Sequence, residues 1–219
     1  MTISILNLPI ALQEAVYTIS TLLLYPVILA LLILVTYLII ESGTFGYEHY
    51  MRLKRTRDLT KVRTARELSN DGNFGDALDL IRGSMSGAFV YAFISDLRNI
   101  PVDDILQVEI EKLLHEYDTL ITKRLERTNL VSRIGPMLGL MGTLIPMGPA
   151  LAGLAAGDVE LLANNMIIAF GTTVLGLLVG GISYAISIVR SRWYDQDIDD
   201  MRYICDMIYG DSNVSEERK

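Results

Sequence analysis

The sequence predicts an all-α membrane protein with three transmembrane helices and long cytoplasmic helical extensions, and three observations carry that prediction. Of its 219 residues, 51% are hydrophobic, and the mean hydropathy of +0.35 is too apolar for an ordinary soluble domain. Residues 22–40, 134–156 and 166–189 contain no Asp, Glu, Lys, Arg or His. Each is long enough to cross a hydrocarbon core at the rise of an α-helix, the first reaching about 28 Å. Between and after them lie charged segments whose apolar positions recur at helical rather than alternating spacing.

Residues 1–21 have no positively charged start and no A-x-A cleavage pattern, so they do not read as a removable signal peptide. Ile3, Leu6 and Ile10, with Pro9 at a helix start, suggest a short helix lying at the membrane interface. Pro26 stands near the beginning of the first span, where a kink is tolerated. Arg52, Lys54, Arg55, Arg57, Lys61, Arg63 and Arg66 follow that span, whereas only Glu14 is charged before it. Basic residues favour the inner side, so the N-terminus is expected outside and residues 41–133 form a cytoplasmic helical domain.

Within that domain, 64–70 and 74–82 read as a helical hairpin broken at Asp71-Gly72-Asn73, and 83–87 is a further break. Pro101, Asp103 and Asp104 suit the start of a new helix. Leu106, Ile110, Leu113, Tyr117 and Leu120 supply its apolar side, and Glu109, Glu111, Lys112 and Glu116 its wet one. No breaker separates this segment from the second span, which predicts one helix from about Val102 to beyond Gly142, bent at Pro136. Residues 157–165 make a short outer connection: the chain turns at Gly157, and Asp158 caps the next helix. Residues 190–219 return to the basic side as a C-terminal helix to about Tyr209 and a frayed tail after Gly210.

Composition excludes several functions. The formal charge of -7, with no basic cluster interleaved with aromatics, argues against a nucleic-acid partner. A single cysteine, Cys205, rules out an intrachain disulfide and a Cys-rich metal site and reads as a passive thiol. His49 and His115 are far apart and are expected at the surface, so no metal and no cofactor are implied. The uncharged spans hold serines and threonines without a base, which weighs against an intramembrane enzyme. They also lack the ionisable group that a proton relay needs at depth, so a complete pump would take that group from a partner.

The most informative pattern is a stripe of small residues on each of the last two spans. Gly135, Gly139, Gly142, Pro146, Pro149 and Gly153 recur at spacings of four and three, as do Asn165, Ala169, Thr173, Gly176, Gly180, Ser183 and Ser187. Helices marked this way can approach closely in lipid, where association depends on packing rather than on a hydrophobic drive. Thr143 and Thr173 are then expected in a tight, dry interior. Thr172 lies about 100° around the helix from Thr173 and reads as a neighbour bonded to its own backbone. Asn164 and Asn165 lie near the outer interface, where one of them, Asn165 on the stripe, is placed to line an ion intake.

These motifs resemble the MotA/TolQ/ExbB proton-channel family. Pro136 to Leu144, P-M-L-G-L-M-G-T-L, is similar to that family's P-L-L-G-L-L-G-T-V, and Ala169 to Leu177, A-F-G-T-T-V-L-G-L, to its A-L-x-x-T-x-x-G-L. The resemblance implies a homopentamer whose second and third spans line a central pore around helices of a single-span MotB/TolR/ExbD-type partner that supplies an aspartate. It implies an ion-channel subunit of a stator-like motor in the cell membrane, coupling flow of H+ or Na+ to movement of the partner. Thr143 and Thr173 match the family's pore hydroxyls, and Gly139, Gly142, Gly176 and Gly180 pack the pore helices. Two departures stand out: Ile168 occupies the position of a glutamate in the ExbB and TolQ branch, and Pro146 replaces a family glycine. Pro146 and Pro149 are expected to kink the outer half of the second span. A non-conducting scaffold that holds a partner helix is the alternative that the glycine stripes alone would allow.

Overall fold

A computed structural model describes residues 8–54, 64–68, 74–83, 87–100 and 106–209. Every regular element among them is α-helical, as the sequence predicts. In chain order these are α1 (Leu8–Leu22), α2 (Leu24–Lys54), a short helical piece at 64–68, α3 (Phe74–Arg82), α4 (Ala88–Leu97), α5 (Leu106–Ala155) and α6 (Val159–Tyr209). Three stretches, Glu14–Lys54, Gln107–Ala155 and Val159–Met207, are long and apolar enough to cross a membrane. The expected starts at Ile3, Leu6, Pro101 and Asp103, the break at 71–73, and the tail beyond Gly210 lie outside the described residues.

Proline chemistry explains the first break. Pro26 has no N–H to give the carbonyl of Leu22, and its ring crowds that carbonyl, so the helix is interrupted at Leu23. The amide of Leu23 donates to both Ile19 O and Ser20 O, and that of Val27 resumes the ladder on Leu23 O. Helix α5 instead absorbs Pro136, Pro146 and Pro149 within 50 continuous residues. It ends in a glycine cap: Gly157 adopts φ +76, the Asp158 amide donates to Gly153 O and the Gly157 amide to Leu154 O. The Asp158 carboxylate then accepts from the Leu161 amide at 2.9 Å, capping α6 as expected.

The chain forms two compact units. The first comprises residues 1–42 and 127–186, the second 43–126 and 187–219. In the first unit the buried apolar cluster is small, Leu38, Val131 and Val179 flanked by Leu34, Val35 and Tyr37. Large apolar side chains such as Leu29, Ile33, Leu140, Leu144, Phe170 and Val174 are exposed on its surface, the arrangement of helices solvated by lipid.

The second unit is built like a water-soluble domain. Helix α4 buries Val90, Phe93, Ile94 and Leu97, an i, i+3, i+4, i+7 set. Helix α3 buries Ala77, Leu78 and Ile81, with Asp76 in its first turn and Arg82 in its last to oppose the helix dipole. Ile110, Tyr117 and Ile121 of α5 and Tyr194, Met201, Ile204 and Cys205 of α6 complete the core. Leu120 was expected on the buried side of α5 but is 52% exposed, and Ile121 takes its place. Steps of seven and then four residues from Ile110 stay on one face at 3.6 residues per turn, whereas strict heptad spacing drifts off it. The Tyr117 hydroxyl donates to Asp96 Oδ2 at 2.6 Å, tying α5 to α4, and burial together with that bond raises the phenol above its ordinary pKa.

Phe93 is fully buried, with its ring edge-on to Tyr117 at 5.5 Å between centroids. Phe93→Ala should cost about 3 to 5 kcal/mol, read as a lowered denaturation midpoint of the full chain in detergent. Val108→Ala on the exposed side of the same core should stay within about 0.5 kcal/mol. Equal effects would show that this cluster does not hold the unit together.

Candidate functional site

The site is the contact between α5 and α6 in the first unit, and glycine sets its geometry. Gly135, Gly139, Gly142, Pro146, Ala150 and Gly153 form the buried row of α5. A Cβ on Gly176 would lie 2.7 Å from both Gly135 O and Gly139 Cα, so backbone meets backbone there. A Cβ on Gly135 would lie 3.0 Å from Gly176 O and Gly180 N. The Pro136 ring covers Gly180, where a Cβ would come within 2.5 Å of the proline Cγ. The expected stripe is therefore the contact, with one refinement: Ala150 is buried and Pro149 only partly so, because 150 rather than 149 completes the turn after Pro146.

The threonines divide differently from the sequence expectation. Thr172, 6% exposed, is the residue inside the contact: a Cβ on Gly142 would lie 2.6 Å from both its Cβ and its Oγ1. Thr143 and Thr173, expected in the interior, are partly exposed on its flank, and so is Asn165. Two spacings, 169-172-176 and 169-173-176, put small residues on one helical face, and sequence alone does not choose between them. The bulk of Thr172 fits because Gly142 has none, and that reciprocal fit is the signal that could have found it.

The three threonine hydroxyls and the Asn165 amide are each turned onto their own helix. The Thr143 hydroxyl donates to Leu140 O at 2.7 Å and the Thr173 hydroxyl to Ala169 O at 2.9 Å. That of Thr172 donates to Ile168 O and Ala169 O at 3.0 and 2.9 Å, as expected of it. Asn165 Nδ2 donates to Leu161 O at 2.9 Å. Thr143 and Thr173 thus present hydroxyl lone pairs on the accessible flank, acceptors suited to a protonated acid or a small cation.

In the second unit, His49 and His115 are exposed, as expected. Cys205 is buried, and desolvation pushes its thiol up to about 12, which leaves it inert as a nucleophile. Burial likewise pushes Tyr194 up to about 12.

Because backbone atoms cannot move aside cheaply, Gly176→Val should force α5 and α6 apart. The expected loss is at least about 2 kcal/mol of resistance to unfolding in mixed micelles. Gly171→Ala, on the same helix with nothing near its added methyl, should change stability by less than about 0.5 kcal/mol. A Gly176→Val chain as stable as its parent would refute the close contact.

Curated proteins gave no match to this sequence. A family profile does: that of the MotA/TolQ/ExbB proton channel family matches residues 81–202, more than half of the chain. The matched segment contains α4, α5 and α6 as far as Arg202, and with them both motifs and every glycine of the contact. That family is one of channels rather than enzymes. The all-helical fold, the three membrane-length helices and this match agree, and the chain belongs to the MotA/TolQ/ExbB proton channel family.

Proposed function

We propose that this chain is the channel-forming subunit of a stator-like motor in the cell membrane. It couples inward flow of H+ or Na+ to movement of a single-span MotB/TolR/ExbD-type partner. The observation that carries the proposal is the pairing of an uncharged α5–α6 contact with two hydroxyl lone pairs on its accessible flank. None of residues 22–40, 134–156 and 166–189 can hold a proton as Asp, Glu, Lys, Arg or His, so the titrating aspartate comes from the partner. Five copies arranged around that partner would turn Thr143 and Thr173 towards the centre, with Asn165 nearer the outer end. Glycine contacts at Gly139, Gly142, Gly176 and Gly180 would keep each helix pair rigid.

Ion flux into vesicles holding this chain and its partner tests the reading, with assembly checked by mass and five copies expected. Thr173→Val keeps the shape and removes the hydroxyl. It should slow flux by about five-fold to about a hundred-fold, the equivalent of 1 to 3 kcal/mol for an unpaired polar group. Thr143→Val should act in the same direction. Thr172→Val should conduct like the parent, since that hydroxyl serves only its own helix. Loss of flux in Thr172→Val with normal flux in Thr173→Val would reverse the assignment of the pore face. Parental flux in all of them would make these threonines packing residues, and absence of flux in the parent itself would favour a non-conducting scaffold.

The topology follows from charge asymmetry: basic residues succeed the first span and flank the other two on one side, so the N-terminus lies outside and the C-terminus inside. Thr2→Cys and Ser215→Cys should react with an impermeant thiol reagent from opposite faces of the membrane. Cys205, buried and with a raised pKa, needs no removal first. Reaction of both from the same face would overturn the topology.

A further inference from the structure

The second unit holds a buried charge cluster to which ion conduction assigns no role. Asp197 of α6 is 1% exposed, and Arg52 near the end of α2 grips its carboxylate with both terminal nitrogens. Arg52 Nη1 donates to Oδ1 at 3.0 Å and Nη2 to Oδ2 at 2.5 Å. One turn earlier, Glu48 lies 3.7 Å from Arg52 Nη2 and 3.3 Å from Nε of the fully buried Arg190. Two carboxylates and two guanidiniums thus meet here. Gly87, at the start of α4, presses against this pair: a Cβ there would lie 2.7 Å from Asp197 Oδ1. On its other side the Arg52 guanidinium sits 5.2 Å from the ring centre of Trp193, which stacks on Phe45 and His49 at 5.3 and 5.5 Å.

Burial outweighs the pull of Arg52 and pushes Asp197 up to about 6, with Asp200 and Glu48 adding to the rise. Arg190 and Tyr194 share α6 with it, His49 lies beside Trp193 on α2, and Arg124 of α5 lines the neighbouring cavity. Because the folded chain binds this proton more tightly than an unfolded one, the group's contribution to stability is present at acid pH and is lost as pH rises through about 6. Protonation of Asp197 by mild acid therefore does not by itself destabilise the fold. Glu48 is then left facing two guanidiniums, and only one of them has somewhere to go. The Arg190 side chain is fully buried, whereas that of Arg52 is 14% exposed. Arg52 also borders a cavity of about 420 Å³ lined with Tyr47, Tyr91, Gly87 and Arg124.

We propose that Arg52 and Asp197 form a proton-released latch: on protonation of Asp197, Arg52 leaves the carboxyl for the adjoining cavity, loosening the hold of α2 and of Gly87 on α6. The latch makes the packing of this unit responsive to pH on the face of the membrane where it lies, independently of any ion passing through a pore.

Trp193 is the chain's single tryptophan and reports directly on Arg52. The test is its emission in the full chain in nanodiscs, followed from about pH 5 to about pH 8. A His49→Gln background removes the imidazole stacked on the ring. A transition centred near pH 6 is expected. Asp197→Asn should abolish it and hold the acid-form emission throughout, and Arg52→Gln, which removes the group that moves, should abolish it as well. Emission that is flat in the background chain, or a transition that survives Asp197→Asn, would overturn the latch. If Asp197→Asn does not assemble, Arg52→Gln decides, and a transition that survives in it overturns the latch equally.

Discussion

The interaction on which the membrane-length part of this chain depends is the direct approach of two helix backbones, Gly135 and Gly139 of α5 against Gly176 and Gly180 of α6. Each glycine costs up to about 1 kcal/mol of helix propensity relative to alanine. Exposed apolar side chains around the pair gain nothing by association in lipid, where the tails are as apolar as leucine. What offsets the cost is dispersion, many small contacts between atoms that only missing side chains allow to meet. Pro136 shows how closely the two surfaces are matched. Its ring would collide with almost any side chain at position 180, and its place in the helix is tolerable because the partner offers a bare backbone there.

The second unit solves the opposite problem. Its core of Val90, Phe93, Ile94, Tyr117, Ile121, Tyr194 and Ile204 is held by removal of apolar area from water. Two polar pairs are drawn into that unit's interior, Tyr117 with Asp96 and Asp197 with Arg52. Helices α5 and α6 contribute to both units without interruption, 50 and 51 residues long. One continuous sequence therefore changes its design along its length. Small residues with no charge give way to large apolar ones with charged neighbours, and the change falls near Arg127 and Ser187, where the two units divide.

That change of design is why the fold was legible in the sequence. Length, hydropathy and helical periodicity are local properties, and Gly157 with Asp158 is a turn-and-cap signal written in adjacent residues. The contact stripe was legible too, since 135, 139 and 142 stand out against leucines. What escaped were choices of a single position: Ile121 over Leu120, Ala150 over Pro149 and Thr172 over Thr173. A shift of one residue turns a helix by about 100°, and a pattern in which both neighbours are suitable does not fix the rotation. The partner helix fixes it, here through the fit of Thr172 into Gly142. The Arg52–Asp197 pair lay further out of reach, because its members are 145 residues apart and no spacing rule joins them.

In the proposed channel, the hydrogen bonds that Thr143 and Thr173 make to their own helices have a consequence for the ion they would handle. With its proton given to a carbonyl, a threonine hydroxyl can accept from a carboxylic acid without rearranging, but it must first break its own bond to donate to a carboxylate. That bond is worth on the order of 1 kcal/mol. As found, the two hydroxyls therefore favour the protonated form of an approaching aspartate and resist its ionisation, in a stretch with no cation to compensate. A proton accepted from outside would be kept while the acid faces these residues and given up once the helix has moved past them. The preference comes from the helical back-bond together with the absence of charge, so replacing Thr173 with a lysine or an arginine would invert it, stabilising the carboxylate and holding the partner in place.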